Sequence, residues 1–249
     1  MSKGAGKERI DVLLVERGLC DSRARAQARV LAGDVIVGDR RVDKAGDKVP
    51  RDATIRLKGT EMPWVSRGGV KLDAALRWFG VDPSGLVCVD IGASTGGFTD
   101  VLLQRGAARV FAVDVGYGQL AHKLRSDPRV VNLERSHIVK LAPGTLAPPP
   151  SLAVVDVSFI SLVQVLPALV PHLAPAARVV CLIKPQFEVG RGAVGKGGIV
   201  RDPAARAAAV ERVLGAAAAA GLSCDGVRES PITGADGNVE VVAAFSRAC

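Results

Sequence analysis

Four charged side chains occupy positions where an apolar residue would be expected or where a site could form. Asp156 and Lys184 each come at the end of an apolar run that predicts a strand, and Glu240 lies within a third run, NVEVVAAF. Lys71 lies on the predicted helix before the first strand of this region. Lysine and carboxylate side chains are rarely fully buried unless they are paired. Any one of these charges also fits a solvated strand end, but four of alternating sign indicate a site.

A glycine-rich segment follows the first strand of this region. Asp90 is followed by Gly92, Gly96 and Gly97, and Asp114 lies near the end of the next strand. The spacing matches neither the dinucleotide fingerprint G-x-G-x-x-G nor a phosphate-binding loop that ends in GK[ST]. A glycine turn after one strand and an acid after the next fit a nucleoside-bearing cofactor whose ribose the acid holds. S-adenosylmethionine is the best candidate, and an ordinary glycine turn in an α/β fold is the alternative.

This set of residues suits methyl transfer to a poor nucleophile such as a ribose hydroxyl. The sulfonium methyl is already activated, so the reaction requires no metal, but the hydroxyl must lose its proton as it attacks. A lysine can take that proton when burial and a neighbouring cation lower its pKa. Well-placed proton transfer contributes about 10²–10⁴ in rate.

The elements that must position these residues alternate between strand and helix. Near-continuous Val, Ile and Leu runs separated by helical segments predict an α/β fold with a parallel sheet covered on both faces. Ligands bind at the carboxyl ends of the strands in such a sheet. The predicted strands are 86–92, 109–116, 129–134, 152–159, 177–185, 226–232 and 238–245, and the predicted helices are 69–79, 97–106, 118–125, 160–173 and 203–220. Asp202 and Pro203 are predicted to begin the last helix and Gly221 to stop it.

The chain is predicted to consist of domain 1–60, a linker over 61–65 and domain 66–249. In the first domain, apolar spacing predicts a helix over 9–17, and Asp21 or Ser22 is predicted to cap a second helix, RARAQARVLA. A hairpin with Gly38-Asp39 at its turn and a further strand over 54–57 are expected to follow. Trp64 in the linker is expected to be a packing anchor.

Composition and charge narrow the class of partner. The 249 residues are 48% hydrophobic, which excludes a disordered protein, and only 4% aromatic, which argues against a stacking-rich single-strand binder. The net charge of +8 favours nucleic acid as partner. An anionic membrane surface and a basic protein without such a partner are the alternatives. Because no run of about 18 apolar residues could span a bilayer and the five cysteines are widely spaced, we expect a cytoplasmic protein without structural metal.

Taken together, the motifs resemble the FtsJ-type ribose 2′-O-methyltransferases, whose Lys-Asp-Lys-Glu tetrad falls here on Lys71, Asp156, Lys184 and Glu240. With the N-terminal module, the chain resembles the TlyA family, also called hemolysin A, which joins an S4-type RNA-binding domain to a methyltransferase. The resemblance extends from about residue 8 to 245 and is carried by RIDVLLVERGLCDSRARAQ, AGDVIVGDRRV, WVSRGGVKLDAAL, DIGASTGGFTD, VDVGYGQL, ERSHI, DVSFISL, LIKPQFE and GKGGIVRDP. The chain departs from the family at the Val37-Gly38 turn, where Asn-Gly is usual, and at Glu61-Met62-Pro63, where a basic residue usually precedes Trp-Val.

The resemblance implies a Rossmann-like class I methyltransferase, with a mostly parallel sheet and a late antiparallel strand, and a small N-terminal α+β RNA-binding domain. It implies S-adenosylmethionine as cofactor and ribosomal RNA or ribosomal subunits as partner, with no obligate protein partner. The activity implied is 2′-O-methylation of cytidine in the large subunit, often also in the small subunit, with an effect on sensitivity to capreomycin-type antibiotics. A membrane-active cytolysin and a non-catalytic RNA-binding protein are the rival hypotheses.

The residue roles follow as expectations. Lys184 is the general base, Lys71 assists it, Asp156 orients it, and Glu240 stabilises the lysine charges or the ribose. The glycine-rich segment 190–201 is either a mobile lid over the RNA or an ordinary flexible loop. The expected cofactor-binding residues are Asp90, Gly92, Ala93, Ser94, Thr95, Gly96, Gly97, Phe98, Asp114 and Asp156, and the expected RNA-binding residues are Arg23, Arg25, Arg40, Arg41, Lys44, Arg67 and Lys196.

Overall fold

The computed structural model describes residues 6–20, 22–58, 63–234 and 237–247. The chain forms two compact units, Met1–Glu61 and Met62–Cys249. The first two residues of the predicted linker, Glu61 and Met62, lie outside the described residues, as does Asp21.

The N-terminal unit has two helices and two small antiparallel sheets, with strand orders β1-β4 and β3-β2-β5. Its elements are β1 (Lys7–Arg9), α1 (Ile10–Glu16), α2 (Arg23–Leu31), β2 (Val35–Val37), β3 (Arg40–Arg41), β4 (Lys48–Pro50) and β5 (Ile55–Leu57). The predicted hairpin is confirmed, since Val37 pairs with Arg40 across Gly38 and Asp39. The Ser22 hydroxyl accepts a hydrogen bond from the backbone N–H of Arg25, so Ser22 is the cap of α2. Three-residue β1 and β4 were not predicted, because strands so short carry no alternating pattern.

A buried carboxylate holds the helices of this unit together. Asp11 on α1 is fully excluded from solvent and accepts hydrogen bonds from Arg9, Arg23 and Gln27. The bond from Arg9, with those from Gln27 and Arg23, holds the pKa of Asp11 well below its usual range. Because a buried charge without partners is costly, the two arginines are structural in this unit.

The second unit is built on a seven-stranded sheet of order β11-β12-β10-β9-β6-β7-β8. Strands β10, β9, β6, β7 and β8 pair in parallel, whereas β12 runs antiparallel to both of its neighbours, β10 and β11. Its strands are β6 (Val87–Ile91), β7 (Arg109–Val113), β8 (Val130–Leu133), β9 (Leu152–Val155), β10 (Arg178–Ile183), β11 (Leu222–Glu229) and β12 (Val241–Arg247). Its helices are α3 (Gly68–Trp78), α4 (Gly97–Gln104), α5 (His122–Arg125), α6 (Leu162–Leu169), α7 (Pro185–Glu188) and α8 (Pro203–Ala219). The predicted Rossmann-like α/β fold with one late antiparallel strand is confirmed.

Hydrophobic side chains cover both faces of this sheet. Alternate residues of β6 point to opposite faces, so Val89 and Ile91 pack in the core that contains α6, and Cys88 packs in the core that contains α3 and α4. Trp64 packs against the second of these cores, as expected for an anchor. Packing against these two cores fixes where each strand lies in the sheet, and therefore where the residues that follow the strand ends are placed.

Several predicted elements differ from the observed ones at their ends. The late strand predicted over 226–232 is β11 and begins at Leu222, immediately after Gly221, which stops α8 at φ +82°. The predicted helix over 118–125 is reduced to α5, because the preceding residues form the loop after β7. Asp202 caps α8 as predicted, with its carboxylate accepting from the backbone N–H of Ala204. Within the described ranges, no helix combines the length and apolar character needed to cross a bilayer.

Candidate active site

The four charges noted in the sequence meet at one edge of the seven-stranded sheet. Asp156 follows β9 directly and Lys184 follows β10 directly, so each lies just beyond its strand and not inside it. Glu240, predicted within a strand, precedes β12. Because β12 is antiparallel to β10, its first residue lies at the same edge as the carboxyl ends of β9 and β10. Lys71 reaches this edge from α3.

The four side chains form two ion pairs. Lys71 Nζ lies 2.5 Å from Glu240 Oε2, and Lys184 Nζ lies 2.6 Å from Asp156 Oδ1. Lys184 Nζ also donates a hydrogen bond of 3.0 Å to Ser158 Oγ. Lys71 and Glu240 are 9% and 3% exposed, whereas Asp156 and Lys184 are half-buried. The second pair is therefore the one that solvent reaches more readily.

A cavity of about 400 Å³ contains both ion pairs. Its wall also includes Ser66 and Arg67, which precede α3, and Thr233, which lies before β12. A large part of the wall is the glycine loop between β6 and α4, with Gly92, Ala93, Ser94, Thr95, Gly97 and Phe98. The four charges predicted to be catalytic, one of which (Asp156) is also a predicted cofactor residue, and six further predicted cofactor residues thus line one space.

The backbone conformation of the glycine loop explains why glycine stands at its first position. Gly92 has φ +85°, and a Cβ added there would lie 2.4 Å from the carbonyl oxygen of Asp156. At Gly97, an added Cβ would lie 2.2 Å from Ser66 Oγ. Side chains at these positions would fill the cradle between the loop and its neighbours. Gly96, also predicted to bind cofactor, does not line the cavity but opens α4 at φ +96°.

A second cavity of about 490 Å³ adjoins the first and shares Gly92, Ser94, Asp156 and Ser158 with it. Asp114 lines this second cavity. The Asp114 carboxylate accepts hydrogen bonds from the backbone N–H groups of Ser94 (2.8 Å) and Gly116 (2.6 Å) and so ties the glycine loop to the end of β7. Two continuous cavities, one apolar in part and one charged, fit a cofactor that has a nucleoside at one end and a reactive group at the other.

The structure places Asp90 outside both cavities. Its position on β6 points it toward α4, where its carboxylate is fully buried and accepts a 2.7 Å hydrogen bond from Thr99 Oγ1. Burial raises the pKa of Asp90 to about 7, with a smaller contribution from the negative charge of Asp156, while the Thr99 bond opposes the shift. The expectation of direct cofactor contact is therefore corrected: Asp90 fixes the helix that begins at the glycine loop. The two-residue period of β6 could have indicated this orientation.

The predicted RNA-binding residues have different surroundings. Arg67 is exposed at the wall of the first cavity, and Arg40, Lys44 and Lys196 are exposed elsewhere. Arg41 lies 2.7 Å from Asp43.

Two further predicted RNA-binding residues lie on α2. Arg23 is bound to Asp11 and yet remains half exposed, whereas Arg25 is less exposed. The exposed members leave the N-terminal unit with cationic groups available to a polyanion.

Ser158 and Phe159 belong to the site but were not singled out in the sequence. Phe159 is 92% exposed and has φ +66°, a left-handed conformation that is uncommon for a bulky residue. Its ring borders the second cavity. The sequence did contain a signal, because Ser158 and Phe159 follow Asp156 within two and three positions. The apolar character of the run instead predicts that Phe159 is the last residue of a buried strand.

The predicted lid, residues 190–201, is tied down at one end. Asn238 is 1% exposed; its Nδ2 donates to the carbonyl oxygen of Gly198, and its Oδ1 accepts from the N–H of Val200. Lys196 lies in the turn before these bonds.

Comparison with known protein families finds two matches within the chain. Residues 64–247 match the FtsJ-like methyltransferase family, and residues 8–55 match the S4 domain. All of the cavity-lining residues described above lie in the first match.

Individual proteins are similar over almost the whole chain. The chain is 50% identical over 235 residues to a candidate rRNA methyltransferase of Bacillus subtilis, YqxC, covering 94% of this chain and 84% of that protein. It is 48% identical over 237 residues to the 16S/23S rRNA (cytidine-2′-O)-methyltransferase TlyA of Mycobacterium tuberculosis, covering 95% and 88%. A solved structure of a candidate hemolysin from Streptococcus thermophilus superposes with a TM-score of 0.76 at 44% identity, covering 98% and 89%.

Proposed function

Because the chain belongs to the FtsJ-like methyltransferase family, we propose that it transfers a methyl group from S-adenosylmethionine to the 2′-hydroxyl of cytidine in ribosomal RNA. The observation that carries the proposal is the convergence of two lysine–carboxylate pairs beside the glycine loop in one cavity. The names of the Bacillus and Mycobacterium relatives support ribosomal RNA as substrate. The Mycobacterium name further supports cytidine in both 16S and 23S rRNA as the target. The proposal includes the effect on capreomycin-type antibiotics that the family resemblance implies and the cytoplasmic location expected from the sequence.

The cofactor would be held by the loop between β6 and α4 and by the end of β7. Gly92 and Ser94 lie in the wall shared by both cavities, and Asp114 is placed to accept hydrogen bonds from a ribose diol in the second one. S-adenosylmethionine supplies a methyl group that is already activated by a positively charged sulfur. The work left to the chain is to align the hydroxyl with that methyl and to remove a proton.

Lys184 is the residue best placed to remove the proton. Its amine is directed by two partners, Asp156 Oδ1 and Ser158 Oγ, and both of these residues also line the second cavity. To act as the base, Lys184 must first release its own proton; its neutral amine then takes the 2′-hydroxyl proton as the oxygen attacks, and Asp156 stabilises the ammonium that forms. Lys71, held by Glu240, supplies positive charge that stabilises the negative charge developing on that oxygen.

Binding of RNA would involve both units. The S4 domain supplies exposed cations such as Arg40 and Lys44, and Arg67 adds one at the cavity wall. The exposed Phe159 ring offers a stacking surface for an RNA base at the margin of the site.

The test compares ribosomal subunits methylated by the wild-type protein and by Lys184→Ala. Purified subunits from cells that lack the protein are incubated with labelled S-adenosylmethionine, and 2′-O-methyl positions are mapped in both rRNAs. We expect new methyl-cytidine sites with the wild type and at least a 10³-fold lower rate with Lys184→Ala, while cofactor affinity measured by titration calorimetry stays within about threefold.

A matched variant separates proton removal from charge. Lys184→Arg keeps the positive charge beside Asp156 but cannot act as a base, since a guanidinium stays protonated. It should be as inactive as Lys184→Ala. Near-normal turnover by either variant, or transfer of the label to a base atom, would reject the proposed mechanism.

A further inference from the structure

An open depression lies on the outer side of the proposed base. We call it the outer depression and define it by Phe159, Phe187, Gln164, Gln186 and His137. Its volume is about 580 Å³. None of these five side chains has a role in the proton transfer proposed above.

The outer depression is attached directly to the catalytic residues. Gln186 and Phe187 lie on α7, two and three positions after Lys184, and Phe159 follows Ser158, which accepts a hydrogen bond from Lys184. Two positions along a chain span at most ~7 Å. The depression therefore borders the residues proposed to act on the hydroxyl, where a neighbouring nucleotide of the same RNA strand could reach it.

The aromatic rings of the depression suit stacking. The centroids of Phe159 and Phe187 are 5.1 Å apart, and the rings are inclined at 53°. Phe159 is almost fully exposed, although a ring of this size gains most free energy by burial. Apart from Ile160, the rest of the lining is polar, so a flat ligand with polar edges matches this surface better than an aliphatic one.

The amides of the depression suit recognition of such edges. Gln164 and Gln186 each carry a hydrogen-bond acceptor and a two-hydrogen donor, the combination that nucleobase edges also present. Gln186 Oε1 is buried and has no hydrogen-bond partner among the described residues. Turning the Gln186 amide toward a ligand in the depression would break no hydrogen bond of Oε1 and would give this acceptor a donor, which favours such a ligand.

We propose that the outer depression binds the unstacked base of a nucleotide adjacent to the methylated one, with Phe159 and Phe187 stacking on it and Gln186 reading its edge. The proposal rests on the proposed function, because it requires an RNA substrate. It makes the sequence next to the target part of what the enzyme recognises.

The test uses the full-length protein and five RNA hairpins that share one target cytidine. Four hairpins differ only in the adjacent base, and the fifth is abasic at that position; each neighbour, 5′ and 3′, is tested in turn. For the wild type we expect kcat/KM to vary about tenfold among the four bases on one side and to fall about tenfold or more for the abasic RNA.

Variants then assign the effect to the depression. Gln186→Leu and Gln186→Glu should reduce or reorder the spread among the four bases while leaving the rate on abasic RNA within about twofold of the wild type. Phe187→Leu should lower the rates on all four base-containing RNAs toward the abasic rate. Cofactor affinity, measured for every variant, serves as the control for folding.

The outcomes separate this inference from the function on which it rests. If the wild type methylates neither subunits nor hairpins, the proposed function fails, and this inference fails with it. If the wild type is active but indifferent to the abasic position, or if Gln186→Leu keeps the wild-type spread, only the base-binding proposal is overturned. A Gln186→Leu defect seen on subunits and absent on naked RNA would assign the depression to a ribosomal protein and would also overturn it.

Discussion

Lys71 Nζ and Glu240 Oε2 lie 2.5 Å apart although 169 positions separate the two residues in the chain. One comes from the helix before the sheet and the other from the start of its last strand. With Lys184 and Asp156 paired beside them, the cavity holds two positive and two negative groups. Pairing of this kind explains how four charges can stand at the margin of an apolar core.

Substitutions of Lys71 and Glu240 should have strongly non-additive effects on the free energy of unfolding. Lys71→Met or Glu240→Leu alone leaves one buried charge without its partner, at a cost of about 3–5 kcal/mol in the free energy of unfolding. The double variant removes both charges and should lose at least ~1 kcal/mol less than the sum of the single losses. Urea denaturation of the four proteins measures the cycle. All three variants should be deficient in methyl transfer, so a stable but inactive double variant would separate folding from catalysis, whereas additive losses would contradict the coupling.

Asp90 should make the stability of the methyltransferase unit depend on pH. Its pKa is raised by burial to about 7 from an ordinary value of 3.8. Between these values the folded protein keeps a proton that the unfolded chain has released, so stability falls as pH rises, by at most ~1.4 kcal/mol per pH unit, and levels off above about 7.

Asp90→Asn is uncharged throughout this range and can still accept from Thr99, so its advantage over the wild type should grow from pH 4 to 7. Unfolding free energies at pH 4.5, 5.5, 6.5 and 7.5 test the expectation. Parallel curves for the two proteins would mean that Asp90 is ionised in the fold.

Gly92→Ala should reduce stability and cofactor affinity by more than the strain of a left-handed alanine backbone accounts for. Gly92 and Gly118 both have positive φ, but an added Cβ meets the Asp156 carbonyl at 2.4 Å in the first case and nothing within 4 Å in the second. Gly118→Ala therefore measures strain, about 1–2 kcal/mol. Gly92→Ala should lose more stability and bind S-adenosylmethionine at least tenfold more weakly in calorimetric titration. Equal effects of the two substitutions would show that the close approach at Gly92 is unimportant.

Arg40 and Arg23 should behave differently when RNA binding is measured against salt. Arg40 is exposed, so Arg40→Ala should lower the slope of log K against log[salt] by about 1 and leave stability unchanged. Arg23 also neutralises the buried Asp11, so Arg23→Ala should destabilise the N-terminal unit by about 1–3 kcal/mol as well. Filter binding from 50 to 300 mM salt, with hydrogen exchange of the α1 amides, distinguishes them. An unchanged slope for Arg40→Ala would remove it from the RNA-contacting set.

The sequence allowed the sheet edge to be predicted because strand ends are local features. Asp156, Lys184 and the glycine loop each follow an apolar run, and the carboxyl ends of parallel strands share one edge. The family resemblance supplied the antiparallel last strand and the assignment of Lys71, Asp156, Lys184 and Glu240 to one tetrad. An apolar run does not show in which direction an individual side chain points. For this reason the sequence predicted that Asp90 contacts the cofactor, whereas its carboxylate accepts a hydrogen bond from Thr99.

Other features depend on contacts between distant segments. The left-handed backbone at Phe159 places its ring outside the core, although its neighbours in the sequence predict a buried strand. The short α7 was not predicted, and its first residue, Pro185, falls within the strand predicted over 177–185. Tertiary structure, and not local propensity, sets these positions.

Asn238 has a consequence for how far the segment before it can travel. Its amide makes hydrogen bonds to the backbone of Gly198 and Val200. At the N-terminal end of the segment, the backbone carbonyl of Glu188 accepts a hydrogen bond from Arg212 of α8. The stretch between these two attachments is therefore held at both ends. Motion in it is expected to be largest near its middle, around Lys196, and smallest next to Glu188 and Gly198. Slow amide exchange at Val200 beside fast exchange at Lys196 would be its signature.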